Sequence, residues 1–167
     1  MDTFRQDELD ALISCPKEIF EAPKREMRLS GAHWRNDATL VASNDLKGEF
    51  TMFMRRNEEF PENFSIGLTY LSQDGRDGIT LLRSNGPHGC YNSDFALAHP
   101  HFDYHIHQAS GDAIEAGYAA EKSAVKTMEY ASFEEALQFF VKAVNLNAKD
   151  AQKYFPAGTQ IPFSFNE

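Results

Sequence analysis

Four of the six histidines of this chain fall within nine residues, His99-Pro100-His101-Phe102-Asp103-Tyr104-His105-Ile106-His107, where they alternate with apolar side chains. Imidazole is the side chain whose ordinary pKa, about 6.5, lets it give or take a proton near neutrality, and in its neutral form it is a common metal ligand. The spacing predicts a β-strand from His101 to Gln108 in which residues i and i+2 share a face. Phe102, Tyr104 and Ile106 would then enter a core, while His101, Asp103, His105 and His107 would line the opposite, solvated face.

Three readings of that face follow from its residue types. The pair His105 and His107 stands about 6–7 Å apart at Cα along a strand, which permits chelation. A divalent metal such as zinc would need a third ligand from His101, Asp103, His88 or His99, and a catalytic site would leave one position open for water. Alternatively, two imidazoles serve as general base and general acid in phosphodiester cleavage, with Arg83 supplying the cation and Asn85 holding a phosphate or orienting a ring. In the third reading the histidines are only solvated, and function lies in protein binding through the sheet face or the aromatic segment Tyr154–Phe165. No other cofactor-binding motif is present, and no other cofactor is expected. Cys15 and Cys90 are far apart and lack CxxC spacing, so they mark neither a redox nor a metal motif.

The elements that must position these residues read as a single α+β domain over residues 1–167. The spacing predicts an antiparallel sheet of about six strands, with an N-terminal and a C-terminal helix packed on one face. Thr3-Phe4-Arg5-Gln6 has the form of a capping box for a helix from Phe4 to Ser14 that Pro16 closes. Strands are expected at Lys24–Trp34, Ala38–Ser43, Glu49–Arg56, Asn63–Leu71 and Ile79–Arg83. The turns between them fall at Arg35-Asn36-Asp37, Asn44–Gly48 and Asp74–Gly78. A loop with Gly-Pro punctuation runs from Ser84 to about Pro100. An Ala-rich stretch, Asp112 to Lys122, is expected to hold a short helix. Ser132-Phe133-Glu134-Glu135 is a second capping box, followed by the stripe Phe133, Ala136, Leu137, Phe140, Val141 and Val144. Residues beyond Tyr154 are expected to lie extended on the surface.

Composition narrows the function classes. A chain of 167 residues with 42% hydrophobic residues and 14 Phe can build a real core, burying about 70% of its unfolded surface. No run approaches the roughly 18 apolar residues of a membrane span, and the polar N-terminus lacks a signal-peptide core, so a cytoplasmic protein with no membrane partner is expected. A net charge of −9 weighs against broad electrostatic capture of nucleic acid and suits a basic protein partner. Lys24-Arg25-Glu26-Met27-Arg28 and Arg55-Arg56 remain as local basic patches, read most simply as solvated strand ends or salt-bridge partners.

The order Leu82-Arg83-Ser84-Asn85-Gly86-Pro87-His88, then His105-Ile106-His107, then Ser132-Phe133-Glu134-Glu135-Ala136-Leu137 resembles small uncharacterised prokaryotic proteins. More distantly it is similar to the TumE-like toxins of toxin–antitoxin pairs, over roughly residues 63–146. The resemblance implies a toxin-like activity directed at RNA and an antitoxin-like protein partner. It also implies that Arg83, Asn85, His88, His105 and His107 form the catalytic set. Ser84 and the long spacer before His105 depart from that pattern.

Overall fold

The structure, a computed structural model, describes residues 3–74, 76, 78–88, 100–158 and 163–164. In chain order its elements are α1 (Gln6–Ser14), β1 (Lys17–Glu21), β2 (Met27–Ser30), β3 (His33–Ala42), β4 (Glu49–Asn57), β5 (Phe64–Leu71) and β6 (Ile79–Asn85). A 3-10 turn (Pro100–Phe102) leads into β7 (His105–Gln108), and α2 (Gly111–Glu115), β8 (Ala124–Lys126), α3 (Phe133–Ala143), α4 (Ala148–Tyr154) and β9 (Phe163–Ser164) follow. The fold is α+β. Its strands join in the order β8-β7-β6-β5-β4-β3-β2-β9, with β1 beside β3, and every pairing is antiparallel except the short parallel contact of β2 with β9.

Alternation along the central strands makes the sheet two-faced. Phe50, Met52 and Met54 of β4 and Phe64, Ile66, Leu68 and Tyr70 of β5 are buried on one face, where Leu9 and Leu12 of α1 and Phe133, Ala136, Leu137, Phe140 and Val141 of α3 join the same core. The second face carries Arg55, Ser65, Gly67 and Thr69, and further along Arg83, Asn85, His105 and His107. Helix α3 begins where the stripe and cap predict: the Ser132 hydroxyl accepts from the Glu135 backbone N–H at 3.1 Å.

One buried cation closes the core at its end. Lys17, wholly inaccessible at the start of β1, donates to the carbonyls of Ile13 at 2.8 Å, Cys15 at 2.9 Å and Val144 at 3.0 Å, and lies 4.8 Å from the centre of the Phe50 ring. Its three N–H groups meet the orphan carbonyls where α1 and α3 end, and the negative ends of both helix dipoles favour a cation there.

Several expectations are corrected. Among the described residues there are nine strands instead of about six; β1, β8 and β9 are five, three and two residues long, too short for alternation to reveal. Helix α1 starts at Gln6 with Arg5 as its cap, the Glu8 carboxylate accepting from the Arg5 N–H at 2.9 Å, so the Thr3 box does not set the start. Lys24–Trp34 is not one strand, because the chain turns at Gly31, which takes a left-handed φ of 63°. Arg35-Asn36-Asp37 is not a turn but runs through β3. The polar Asn36 is tolerated on the core face because its amide pairs with the Lys24 backbone N–H and carbonyl at 3.0 and 2.9 Å. The Ala-rich stretch is helical only over α2, and Gly117 takes a left-handed φ of 77° just beyond it. Of the segment expected to lie extended on the surface, Tyr154 ends helix α4 and Phe155 is buried, which corrects its start, while residues 159–162 and 165 lie outside the described residues. His99 and Cys90 lie outside the described residues. Among the described residues, no helix is long and apolar enough to cross a membrane.

Candidate metal centre

The second face of the sheet gathers the histidines. In the cross-strand register Asn85 lies opposite His105 and Arg83 opposite His107, so these four side chains stand on one face of β6 and β7. His105 and His107 are both buried, 0% and 4% exposed, which overturns the expectation of a solvated histidine face. They are covered by groups from outside the strand: the His88 ring lies 5.0 Å from His105, and His101 stacks on His105 at 5.0 Å and comes within 5.9 Å of His107.

His101 does not belong to the strand. Pro100 opens a 3-10 turn that carries it over the site, while Phe102 points outward and is 59% exposed, contrary to its expected place in the core. Tyr104 and Ile106 do pack against the core. The two covering segments are tied by a backbone bond from the His88 N–H to the His101 carbonyl at 2.7 Å. Gly86 makes the approach to His88 feasible, since a Cβ there would sit 1.8 Å from the Glu62 carbonyl oxygen.

Hydrogen bonds fix the protonation pattern of both strand imidazoles. His105 Nδ1 is 2.8 Å from the Asp103 carbonyl and His107 Nδ1 is 2.8 Å from the Glu121 carbonyl. A carbonyl only accepts, so each Nδ1 carries the proton and each Nε2 holds a lone pair. Asn85 is aimed to match: the Ser65 hydroxyl donates to its Oδ1 at 2.8 Å, and its Nδ2 donates to His105 Nε2 at 3.3 Å. From the core side the buried Tyr130 hydroxyl donates to the His105 carbonyl at 2.7 Å and also lies 3.2 Å from that of Asn85, bracing the two strands behind the site. Burial pushes the Tyr130 phenol up to about 12, so it stays a donor.

Burial pushes His105 down to about 4, helped by the positive character of His88, His101 and Arg83. His107 is pushed down to about 3, first by burial and then by the Arg83 guanidinium. Both are therefore neutral near pH 7. Neutral imidazoles suit a metal ligand and do not suit a proton donor, and a metal at His105 would displace the Asn85 amide from its Nε2 lone pair.

The ligand atoms of His88, His101 and His105 all lie within 4.8 Å of one another. Around a tetrahedral zinc at about 2.0–2.1 Å per nitrogen, ligand atoms stand roughly 3.4 Å apart, so the rings would draw in by about an ångström. The bond from His105 Nδ1–H to a backbone carbonyl is the support that orients a metal-ligating histidine. Three histidines could thus hold a metal ion. Of the other candidate ligands, His107 stands beside this group with its ring 5.1 Å from that of His105. Asp103 does not join it: its carboxylate pairs with Lys126 at 3.2 Å, and it serves the site through its carbonyl.

Arg83 completes the surroundings. Its Nε is buried and has no hydrogen-bond partner among the described residues. A cavity of about 330 Å³ bounded by Phe60, Glu62, Asn63, Pro87, His88 and Phe102 lies beside His88. The larger cavity, about 390 Å³, lies away from the histidines, between Asn36, Met54, Leu137 and Phe155. Its wall also carries Lys24, Arg25, Glu134 and Lys153, and its Asn36 amide is paired with backbone.

Of the groups that shape the site, Ser65 was legible from the alternation of β5. Tyr130 and the Glu121 carbonyl have no spacing relation to the histidine strand and gave no signal in the sequence. Comparison with protein-family models, curated proteins and solved structures yields no match for the chain, so its function has to be read from the site itself.

Proposed function

We propose that the protein binds a divalent transition metal of the zinc type through His88, His101 and His105 and uses it on an oxyanion ligand that Arg83 helps to hold. The observation that carries this reading is the convergence of three imidazole nitrogens within 4.8 Å. A three-histidine set is a known catalytic zinc donor set, with water in the fourth position. An ion held this way lowers the pKa of bound water to about 7 and polarises a phosphoryl or carbonyl oxygen. The Arg83 guanidinium would face the negative charge of the ligand, and His107, neutral and too weak a base at about 3 to hold a proton near pH 7, would accept a hydrogen bond through Nε2.

The same histidines acting alone as an acid–base pair have less support. With pKa values of about 4 and 3, neither His105 nor His107 carries the proton that an acid must give at neutral pH, and both are weak as bases. A toxin-like activity on RNA would therefore run through the metal and Arg83 rather than through two titrating imidazoles.

Titration of chelator-treated protein with zinc, followed by calorimetry, tests the reading. One ion per chain is expected, and His88→Ala, His101→Ala and His105→Ala should each weaken binding by about 100-fold or more, while His33→Ala should not. Thermal unfolding identifies variants that fail to fold. Undiminished zinc affinity in a folded His105→Ala protein would sink the assignment, as would the absence of micromolar binding in the wild type.

A further inference from the structure

The sheet face that holds the histidines carries, toward its other edge, an arrangement of charge that folding alone does not favour. Arg28 of β2 lies directly opposite Arg35 of β3, and Arg35 directly opposite Arg55 of β4. All three are exposed, and none makes an ion pair among the described residues. Like charges placed directly opposite each other across strands are destabilising. Here three sit in one row of a chain whose net charge is −9, with ample carboxylates from which a mixed row could have been built.

The row continues in register. Opposite Arg55 is Ser65, then Asn85, then His105, and beyond it Lys126. With neighbouring strands about 4.8 Å apart, the arginines span roughly 10 Å, and His105 lies roughly 14 Å past Arg55 along the same line. Phe53, half-buried on this face, carries the Arg55 guanidinium 5.0 Å from its ring centre. The neighbouring row adds His33, opposite Asn57, and Asp37, opposite Phe53.

We propose that this row is a track for the phosphodiester backbone of a single-stranded nucleic acid, leading across the sheet toward the histidine centre. A linear series of guanidiniums matches a ligand whose negative charges recur along a line, and each planar fork can hold two phosphate oxygens. A positively charged track with an aromatic ring set in it is how sequence-tolerant single-strand binders work. An acidic protein partner fits less well, because a protein interface needs a broad apolar centre, and what stands against the three arginines is one half-buried ring, Phe53. The acidic remainder of the chain repels the same ligand, so binding is confined to this face. The inference names the substrate class of the site proposed above and rests on that reading only for where the strand leads; the track itself binds without a metal.

The test is fluorescence anisotropy of a labelled ten-nucleotide oligouridylate with the full chain, from 50 to 200 mM salt, in chelator-treated and in zinc-loaded protein. Three phosphate contacts predict a slope of about −2 in log affinity against log salt, at about 0.7 per contact on a single strand. Arg35→Gln should lower that slope by about 0.7, and the Arg28→Gln/Arg35→Gln/Arg55→Gln variant should lose salt-dependent binding. These side chains are exposed, so the variants should fold. The deoxy oligonucleotide should bind equally well, since phosphate contacts do not read the sugar. Binding by chelator-treated protein keeps this result independent of the metal assignment. Absence of binding at 50 mM salt, full affinity in the triple variant, or equal competition by polyglutamate of the same charge would each overturn the proposal.

Discussion

Lys17 and Arg83 are both cations drawn out of solvent, and the protein treats them in opposite ways. Lys17 has three N–H donors and three carbonyl acceptors at 2.8–3.0 Å, at a point where two helix dipoles converge on it. Arg83 stands half-buried beside two imidazoles, and its buried Nε donates to nothing among the described residues. A polar group kept for folding is satisfied within the fold, because an unmet buried donor costs about 1–3 kcal/mol. A polar group kept for a ligand retains donor capacity that only the ligand uses. Lys17 is thus part of the frame, whereas Arg83 is left with the unmet donor that the proposed site would use.

The largest expected effect is at Lys17. Lys17→Met keeps most of the apolar stem but removes the ammonium, and with it the contact with the Phe50 ring, and leaves three carbonyls buried without a donor. Breaking a buried charged cluster from one side costs about 3–5 kcal/mol. Urea unfolding should therefore show a loss of at least about 3 kcal/mol, with metal binding unchanged in the fraction that remains folded. A loss below about 1 kcal/mol would mean that the carbonyls find water, and that Lys17 is no better satisfied than Arg83.

Of the same order is the pH dependence of the histidine side. In the folded protein His105 and His107 have pKa values of about 4 and 3, below the ordinary 6.5 they recover on unfolding. The unfolded chain therefore binds more protons in between. The stability tied to their neutral state is complete above pH 6.5 and is lost as pH falls toward 4 and then 3. Each group contributes a slope of about 1.4 kcal/mol per pH unit. Unfolding midpoints of chelator-treated protein between pH 6.5 and 4.5 should fall steeply, and His105→Gln should remove about half of that slope. A wild-type midpoint flat across this window would place the histidines in water.

Legibility in the sequence divides along the same line between frame and site. Helix α3 was readable because its stripe and its Ser132 cap are local, and β4 and β5 because alternation is local. Histidines 105 and 107 were correctly placed on one strand face for the same reason. What covers that face was not readable. Period 2 tells which residues share a side, but the cover comes from His88 and His101, and the latter reaches the site only because Pro100 starts a 3-10 turn. Arg35-Asn36-Asp37 misled for a related reason: its composition is that of a turn, and only the pairing of Asn36 with the Lys24 backbone, twelve residues away, makes it strand. Lys17 gave no signal at all, since three carbonyls on two helices converge on it only in three dimensions.

The smallest stability change should come from Arg83→Met, and it is the most discriminating. The substitution removes a buried donor with no partner and a positive charge that opposes protonation of both histidines. Nothing among the described residues loses a hydrogen bond. Replacing such a group by an apolar side chain of similar reach is expected to be neutral or slightly stabilising, within about 1 kcal/mol of wild type. Without the guanidinium the pKa values of His107 and His105 should rise toward the ordinary value, with His107 moving further because Arg83 ranks just behind burial among the causes of its depression. Histidine C2 proton titrations by NMR would show this directly. Phosphate affinity of the zinc-loaded protein should fall in the same variant while its zinc affinity holds. If Arg83→Met instead destabilised the protein as much as Lys17→Met, the guanidinium would be a second structural cation, satisfied inside the fold after all, and the site would lose its anion-holding group.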